Sequence, residues 1–211
     1  MNEPTQTIAI AAHRVGIDDR RGRPALIEGL SLELIAGRLT AIAGFPPRSP
    51  SALLRVLAGL RTPDRGSVWA GYDGGDPRAA RLRSGESTYI SGASRPRGWE
   101  RLSVGSRRRE RRDGPGHLAA ARQVTAIEAA LRPELLTLFA DLDPAGERES
   151  LEAVAHWVRS LRRTAVVTVT DPRAAIAADR VLVLGGGRLV GDLDRPERPE
   201  LASVMELAGS G

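Results

Sequence analysis

The sequence predicts an α/β fold, a mostly parallel sheet flanked by helices, with an antiparallel β part towards the N-terminus. Three observations carry that expectation. Short apolar runs stand at Leu39 to Ala43, Leu135 to Ala140 and Thr164 to Thr168, each followed by a helical pattern. The runs are apolar at consecutive positions, as strands buried on both faces are. Before the first of them Leu30, Leu32 and Leu34 alternate with Ser31 and Glu33, the period of a strand with one covered face.

Taken in order, that alternation meets a turn at Ala36 and Gly37 and reads as the first arm of a hairpin with Leu39 to Ala43. A helix over Ser51 to Leu60 comes after Gly44, with Ser49 as its cap and Pro50 at its first position, where a missing N–H costs little. Thr62 to Gly66 turns the chain into a strand at Ser67 to Ala70. From Tyr72 to His117 Gly, Pro, Ser and Arg replace periodic apolar residues, the least core-like stretch. Helical patterns resume at Leu118 to Leu131 and at Glu147 to Leu161, where Leu151, Val154, Trp157, Val158 and Leu161 share one face. Val181 to Leu184, the Gly185 to Gly187 turn and Arg188 to Val190 make a closing hairpin, and Pro199 to Leu207 a last helix.

Composition narrows the chemistry. All 31 basic residues among the 211 are arginine, so no Schiff-base lysine and no phosphate-binding lysine exists. There is no cysteine, which excludes disulfides, thiolate metal sites and cysteine nucleophiles. His13, His117 and His156 lack metal-ligand spacing, and Trp69, Trp99 and Trp157 are too dispersed for a base-stacking platform. With 41% apolar residues and no signal-like or membrane-spanning run, the expectation is one folded domain over residues 1–211, cytoplasmic or peripheral at the inner face of the membrane.

The order of the pieces carries a family resemblance. Gly29 to Gly44, continuing through Leu53-Leu54-Arg55-Val56-Leu57-Ala58-Gly59-Leu60 to Gly66, resembles the start of an ATP-binding cassette (ABC) ATPase subunit. Leu131 to Leu136, Leu142-Asp143-Pro144-Ala145-Gly146, Ala178 to Leu184 and Gly187 to Val190 resemble that family's later landmarks, in the same order. The resemblance spans nearly the whole chain. It implies a P-loop NTPase-like cassette fold with a shortened helical subdomain, whose arginine-rich remnant would be residues 92–118. It also implies dimerisation with another cassette subunit or with itself, and docking on the membrane subunit of a transporter.

The family's chemistry is matched less well. A phosphate-binding loop reads G-x-x-x-x-G-K-[ST], so that converging backbone N–H groups and a lysine hold phosphates. Here it is Gly44-Phe45-Pro46-Pro47-Arg48-Ser49-Pro50-Ser51, in which Gly44 and Ser51 match. Ser49 stands for the second glycine and Pro50 for the lysine, and three prolines remove three donors. At roughly 1.5 to 3 kcal/mol per bond to a charged group, about 6 kcal/mol or more is lost. Micromolar binding corresponds to only about 8 kcal/mol. Two readings stand for Arg48: a replacement for the lysine in a shorter loop, or part of a strand-to-helix connection that has lost its ligand.

The resemblance places a magnesium-ordering Asp at Asp141, a weak candidate because the adjoining segment is about four residues short, and the base next to it at Leu142, which cannot act as one. Asp143 matches the D-loop residue that contacts a partner cassette, and equally suits a cap before Pro144. The positions of the family's histidine and glutamine hold Thr170 and Gly92, and the signature before Arg122 reads Gly116 to Ala121. The expectation is a non-hydrolytic cassette homologue needing no cofactor, with ATP and magnesium only if residual family activity survives.

The charge excess is local. Arg95, Arg97, Arg101, Arg107, Arg108, Arg109, Arg111 and Arg112 face only Glu100 and Glu110 within 18 residues, a net +6 in a chain of +5. Three readings compete: a solvated loop, a docking surface for an acidic membrane partner or headgroups, and a sequence-independent nucleic-acid contact.

Overall fold

The computed structural model describes residues 7–19, 22–72, 87–91, 115–130 and 137–209. Strands β1 (Ile8–Asp19), β2 (Arg23–Ile35) and β4 (Arg65–Tyr72) form an antiparallel sheet in the order β2-β1-β4. A six-stranded sheet contains β3 (Leu39–Phe45), β5 (Ser87–Ser91), β6 (Thr137–Asp141), β7 (Thr164–Thr168), β8 (Arg180–Gly185) and β9 (Arg188–Asp194). Its order is β5-β6-β7-β3-β8-β9, parallel except where β9 returns against β8. The helices are α1 (Arg48–Leu57), α2 (Pro115–Ala130), α3 (Glu147–Leu161), α4 (Pro172–Ala175) and α5 (Arg198–Gly209).

The expected hairpin across Ala36 and Gly37 does not form. Leu30, Leu32 and Leu34 pair with Val15, Ala12 and Ile10 of β1, whereas β3 lies between β7 and β8. The burial patterns explain the parting. In β2 Leu30, Leu32 and Leu34 are buried and Ser31 and Glu33 exposed, which suits a sheet covered on one side. In β3 all of Leu39 to Ala43 is buried, which requires a central strand covered on both faces. Gly37, at φ 76°, turns the chain from one sheet into the other.

Alternate residues of the central strands feed two apolar cores. Leu39, Ala41, Ala43, Leu138, Ala140, Ala165, Val167, Val181 and Val183 pack with Leu151, Val154 and Val158 of α3 and with Leu201 and Met205 of α5. Ile42, Phe139, Val166, Leu182 and Leu184 pack on the other face with Leu53, Leu54 and Leu57 of α1 and with Ile10, Val15, Ile27 and Leu34 of the antiparallel sheet. At about 1.5–3 kcal/mol for each fully buried side chain of this size, the two cores supply the main force holding β3 at the centre.

Helix α1 begins three residues before the expected start and ends at Leu57 rather than Leu60. Pro47 is already helical at φ −56° and ψ −18° and takes the cap position, so Ser49 lies inside the first turn and caps nothing. Pro50 is tolerated at the third helical position because first-turn N–H groups have no intrahelical partner. At the other end Gly59, at φ 69°, reverses the chain, and the N–H groups of Ala58, Gly59 and Leu60 bond to Leu54, Val56 and Arg55 carbonyls. The expected strand from Leu135 is seen from Thr137; Leu135 and Leu136 lie outside the described residues.

Candidate functional site

The strand-to-helix connection after β3 is the first candidate. Gly44 lies at φ 142°, opposite Leu184 of β8, and a Cβ there would collide with the Leu184 carbonyl oxygen. Glycine is therefore required by strand packing, whatever the loop binds. The N–H of Ser49 donates to the Pro46 carbonyl at 2.8 Å, and the Ser49 hydroxyl is buried with no hydrogen-bond partner among the described residues. The Arg48 guanidinium forms an ion pair with Asp19, the last residue of β1, at 3.1 Å.

One helical turn on, the Ser51 hydroxyl donates to Asp141 Oδ1 at 2.8 Å. The same oxygen accepts from the Thr168 hydroxyl at 2.8 Å, and Tyr89 donates to the other carboxylate oxygen at 3.3 Å. Side chains of three elements, α1, β5 and β7, thus converge on the one carboxylate at the end of β6. Arg55, one turn after Ser51 on α1, reaches the Tyr89 hydroxyl at 3.4 Å. Burial pushes the Tyr89 phenol above its ordinary range, and the Asp141 charge adds to this against the opposing pull of Arg55. The short connection after Asp141 does not displace it from Ser51, contrary to what counting along the sequence suggests.

Beyond Asp141 the chain turns inward. Leu142 is buried in the core under α3, and its N–H donates to the Thr168 hydroxyl at 3.1 Å. Asp143 is held by its backbone: its N–H donates to Gln123 Oε1 at 2.6 Å and its carbonyl accepts from Gln123 Nε2 at 3.3 Å. A short 3-10 turn, Pro144–Gly146, intervenes before α3, and α3 is capped at Gly146, so Asp143 does not cap the long helix.

Glu147, the first residue of α3, is 2% exposed. Its carboxylate accepts from Thr170 N–H at 2.9 and 3.0 Å, from the Thr170 hydroxyl at 2.7 Å and from Asp171 N–H at 2.9 Å. Both oxygens are engaged, and the loop after β7 is fixed to the start of α3.

The structure brings Gly44, Arg48, Ser49, Ser51 and Asp141 to one end of the parallel sheet, with Asp143 two residues on. The residues Arg95, Arg97, Arg101, Arg107, Arg108, Arg109, Arg111 and Arg112 lie outside the described residues, as does Gly92. Gly116 to Ala121 form part of α2. Sequence reasoning missed Asp19, Tyr89, Gln123, Glu147 and Thr168. Only Glu147 carried a local signal, an acid in a helical first turn. Among the described residues no three His, Asp or Glu side chains are grouped to hold a metal ion.

No protein-family model matches the chain. Individual relatives do. The chain is 30% identical over 231 aligned positions to the phosphonates import ATP-binding protein PhnC 1 of Natronomonas pharaonis, covering 90% of this chain and 97% of that one. The chain belongs to the ABC transporter ATP-binding subunit family. It is also 30% identical over 232 aligned positions to the aliphatic sulfonates import ATP-binding protein SsuB of Granulibacter bethesdensis, covering 96% of this chain and 92% of the relative. Among solved structures, the ATP-binding cassette MJ0796, in a dimeric post-hydrolysis state bound to ADP and Pi, superposes with a TM-score of 0.62 at 15% identity. That match covers 89% of this chain and 99% of the cassette. The cbiO1 protein from Clostridium perfringens, part of the ABC transporter complex cbiONQ, gives 0.59 at 15% identity over 90% of each chain. The family's cassette fold is therefore present, with its mostly parallel sheet, flanking helices and antiparallel N-terminal sheet. Among the described residues no helix is long and apolar enough to cross a membrane.

Proposed function

We propose that this chain is a non-hydrolysing member of the family, a cassette that works as a partner subunit of a transporter or membrane complex. The observation that carries the reading is Leu142. It stands next to Asp141, where the family's water-activating carboxylate would be, and its side chain is buried in the core. The nearest acid on the next helix, Glu147, has both oxygens committed to Thr170 and Asp171, and is not placed to take a proton from water.

The loop residues fit a nucleotide poorly. Pro46, Pro47 and Pro50 carry no N–H, the Ser49 N–H is turned into the loop, and the Arg48 charge is balanced by Asp19. The residues instead act as a scaffold: Asp141 ties α1 to the sheet, Gln123 holds the turn at Asp143, and Glu147 holds the loop at Thr170. A rigid cassette of this kind suits pairing with a catalytic cassette, or with a second copy, beneath a membrane subunit. PhnC 1 and SsuB are import proteins by name, and an importer is the assembly this reading gives the chain.

One observation favours a second reading, an ATP-binding subunit with residual nucleotide affinity: Ser51 and Asp141, which would face a magnesium ion, remain 2.8 Å apart. Calorimetric titration of the full chain with ATP and magnesium separates the two. Absence of micromolar binding supports the first reading, and micromolar binding that needs magnesium supports the second.

A further inference from the structure

We propose that Asp19 is an internal counter-ion for the loop, which holds Arg48 in the place a phosphate would otherwise claim. The inference rests on the reading that tight nucleotide binding is lost, and adds a cause that lies outside the loop. Arg48 is the first residue of α1 and the one cationic side chain between Gly44 and Ser51. Its side chain is 46% exposed, within reach of a ligand in solution, while that of Asp19 is 6% exposed. The pair spans from the antiparallel sheet to the helix start and closes at 3.1 Å.

That placement has two consequences. Arg48 faces a carboxylate whose attachment to β1 makes it a permanent neighbour, at an effective concentration no free anion matches. Asp19 also places a negative charge where an approaching polyphosphate would be repelled. The contact runs from Nη2 of the guanidinium to Oδ2 of the carboxylate. A bidentate phosphate contact would be the better-shaped partner for the guanidinium once the competing charge is gone.

The test is Asp19→Asn in the full chain, which keeps shape and removes charge, compared with wild type and with Asp19→Asn/Arg48→Ala. Binding of magnesium ATP and of inorganic pyrophosphate is measured by calorimetry at low salt. The expected result is that Asp19→Asn binds pyrophosphate about tenfold to a hundredfold more tightly than wild type, the effect of one bond between charged groups. The gain should vanish in the double variant. Equal affinity of wild type and Asp19→Asn overturns the proposal, as does a gain that survives removal of Arg48. If Asp19→Asn does not fold, Asp19→Ser takes its place. Loss of folding in both would make Asp19 a stability residue and overturn the proposal as well. Micromolar ATP binding by wild type would instead overturn the reading that tight nucleotide binding is lost, on which this inference rests, whereas equal affinity of the two weakly binding proteins overturns the inference alone, so the two failures are distinct.

Discussion

The Ser51 hydroxyl donates to Asp141 Oδ1 at 2.8 Å and so joins the first turns of α1 to the end of β6. With Thr168 and Tyr89 on the same carboxylate, Asp141 acts as a tie between elements. Asp141→Ala removes three hydrogen bonds to a charged acceptor and is expected to cost about 2–4 kcal/mol, since the hydroxyls can recover part of the loss by rotating. Urea unfolding checks this. A carboxylate kept mainly to hold a metal would leave stability unchanged, or raised, on removal.

Glu147 supports the loop after β7 in the same manner. In Glu147→Gln the carbonyl oxygen can take the place of Oε1 and still accept from the Thr170 and Asp171 N–H groups, but these bonds lose their charge and the NH2 at the other place meets the Thr170 N–H and hydroxyl, which lose an acceptor there. The expected cost is about 1–3 kcal/mol. Hydrogen exchange locates it: the Thr170 and Asp171 amides should lose protection before those of β7.

Tyr89 provides a pH signature. Burial and the Asp141 charge favour the neutral phenol, so its pKa in the folded chain lies above the unfolded value of about 10. The stability this contributes is fully present below pH about 10 and is lost as pH rises through the raised folded value. Ultraviolet titration of the two tyrosines should show a late component that disappears in Tyr89→Phe.

Helix α3 ends at Leu161 and is capped by Arg162, which adopts φ 50° and ψ 44°, a left-handed conformation that a side chain disfavours. Arg162→Gly is expected to raise stability by about 0.5–1 kcal/mol, because glycine takes this conformation without steric conflict. A rise in thermal midpoint without change in the helical signal would bear this out.

How much of the molecule was legible in the sequence depended on whether the signal was local. Helix α3 and strand β7 stand where their periodicity placed them, because Leu151, Val154, Val158 and the run Thr164 to Thr168 each answer to one buried face or one buried strand. The partner of β2 was not legible: a turn at Ala36 and Gly37 is the same sequence whether it joins paired strands or two sheets, and only the burial of β3 on both faces decides. The start of α1 was ambiguous because Pro47 and Pro50 both suit a helical first turn. In the site, Gly44, Ser51 and Asp141 were visible through the resemblance. Asp19, Tyr89, Glu147 and Thr168 were not, because each acts on a residue from 23 to 52 positions away. The count of residues after Asp141 made it look displaced. Strand β6 nonetheless fixes it by pairing Asp141 with Thr168 of β7 and with Ser91 of β5, whatever the length of the connection to α3.

The proposed reading holds that the chain does not hydrolyse ATP because Leu142 stands beside Asp141, and phosphate release from magnesium ATP by the full chain tests this most directly. The expected rate is indistinguishable from that of the buffer alone. Turnover above that background, abolished by Asp141→Ala in a preparation that remains folded, would contradict it.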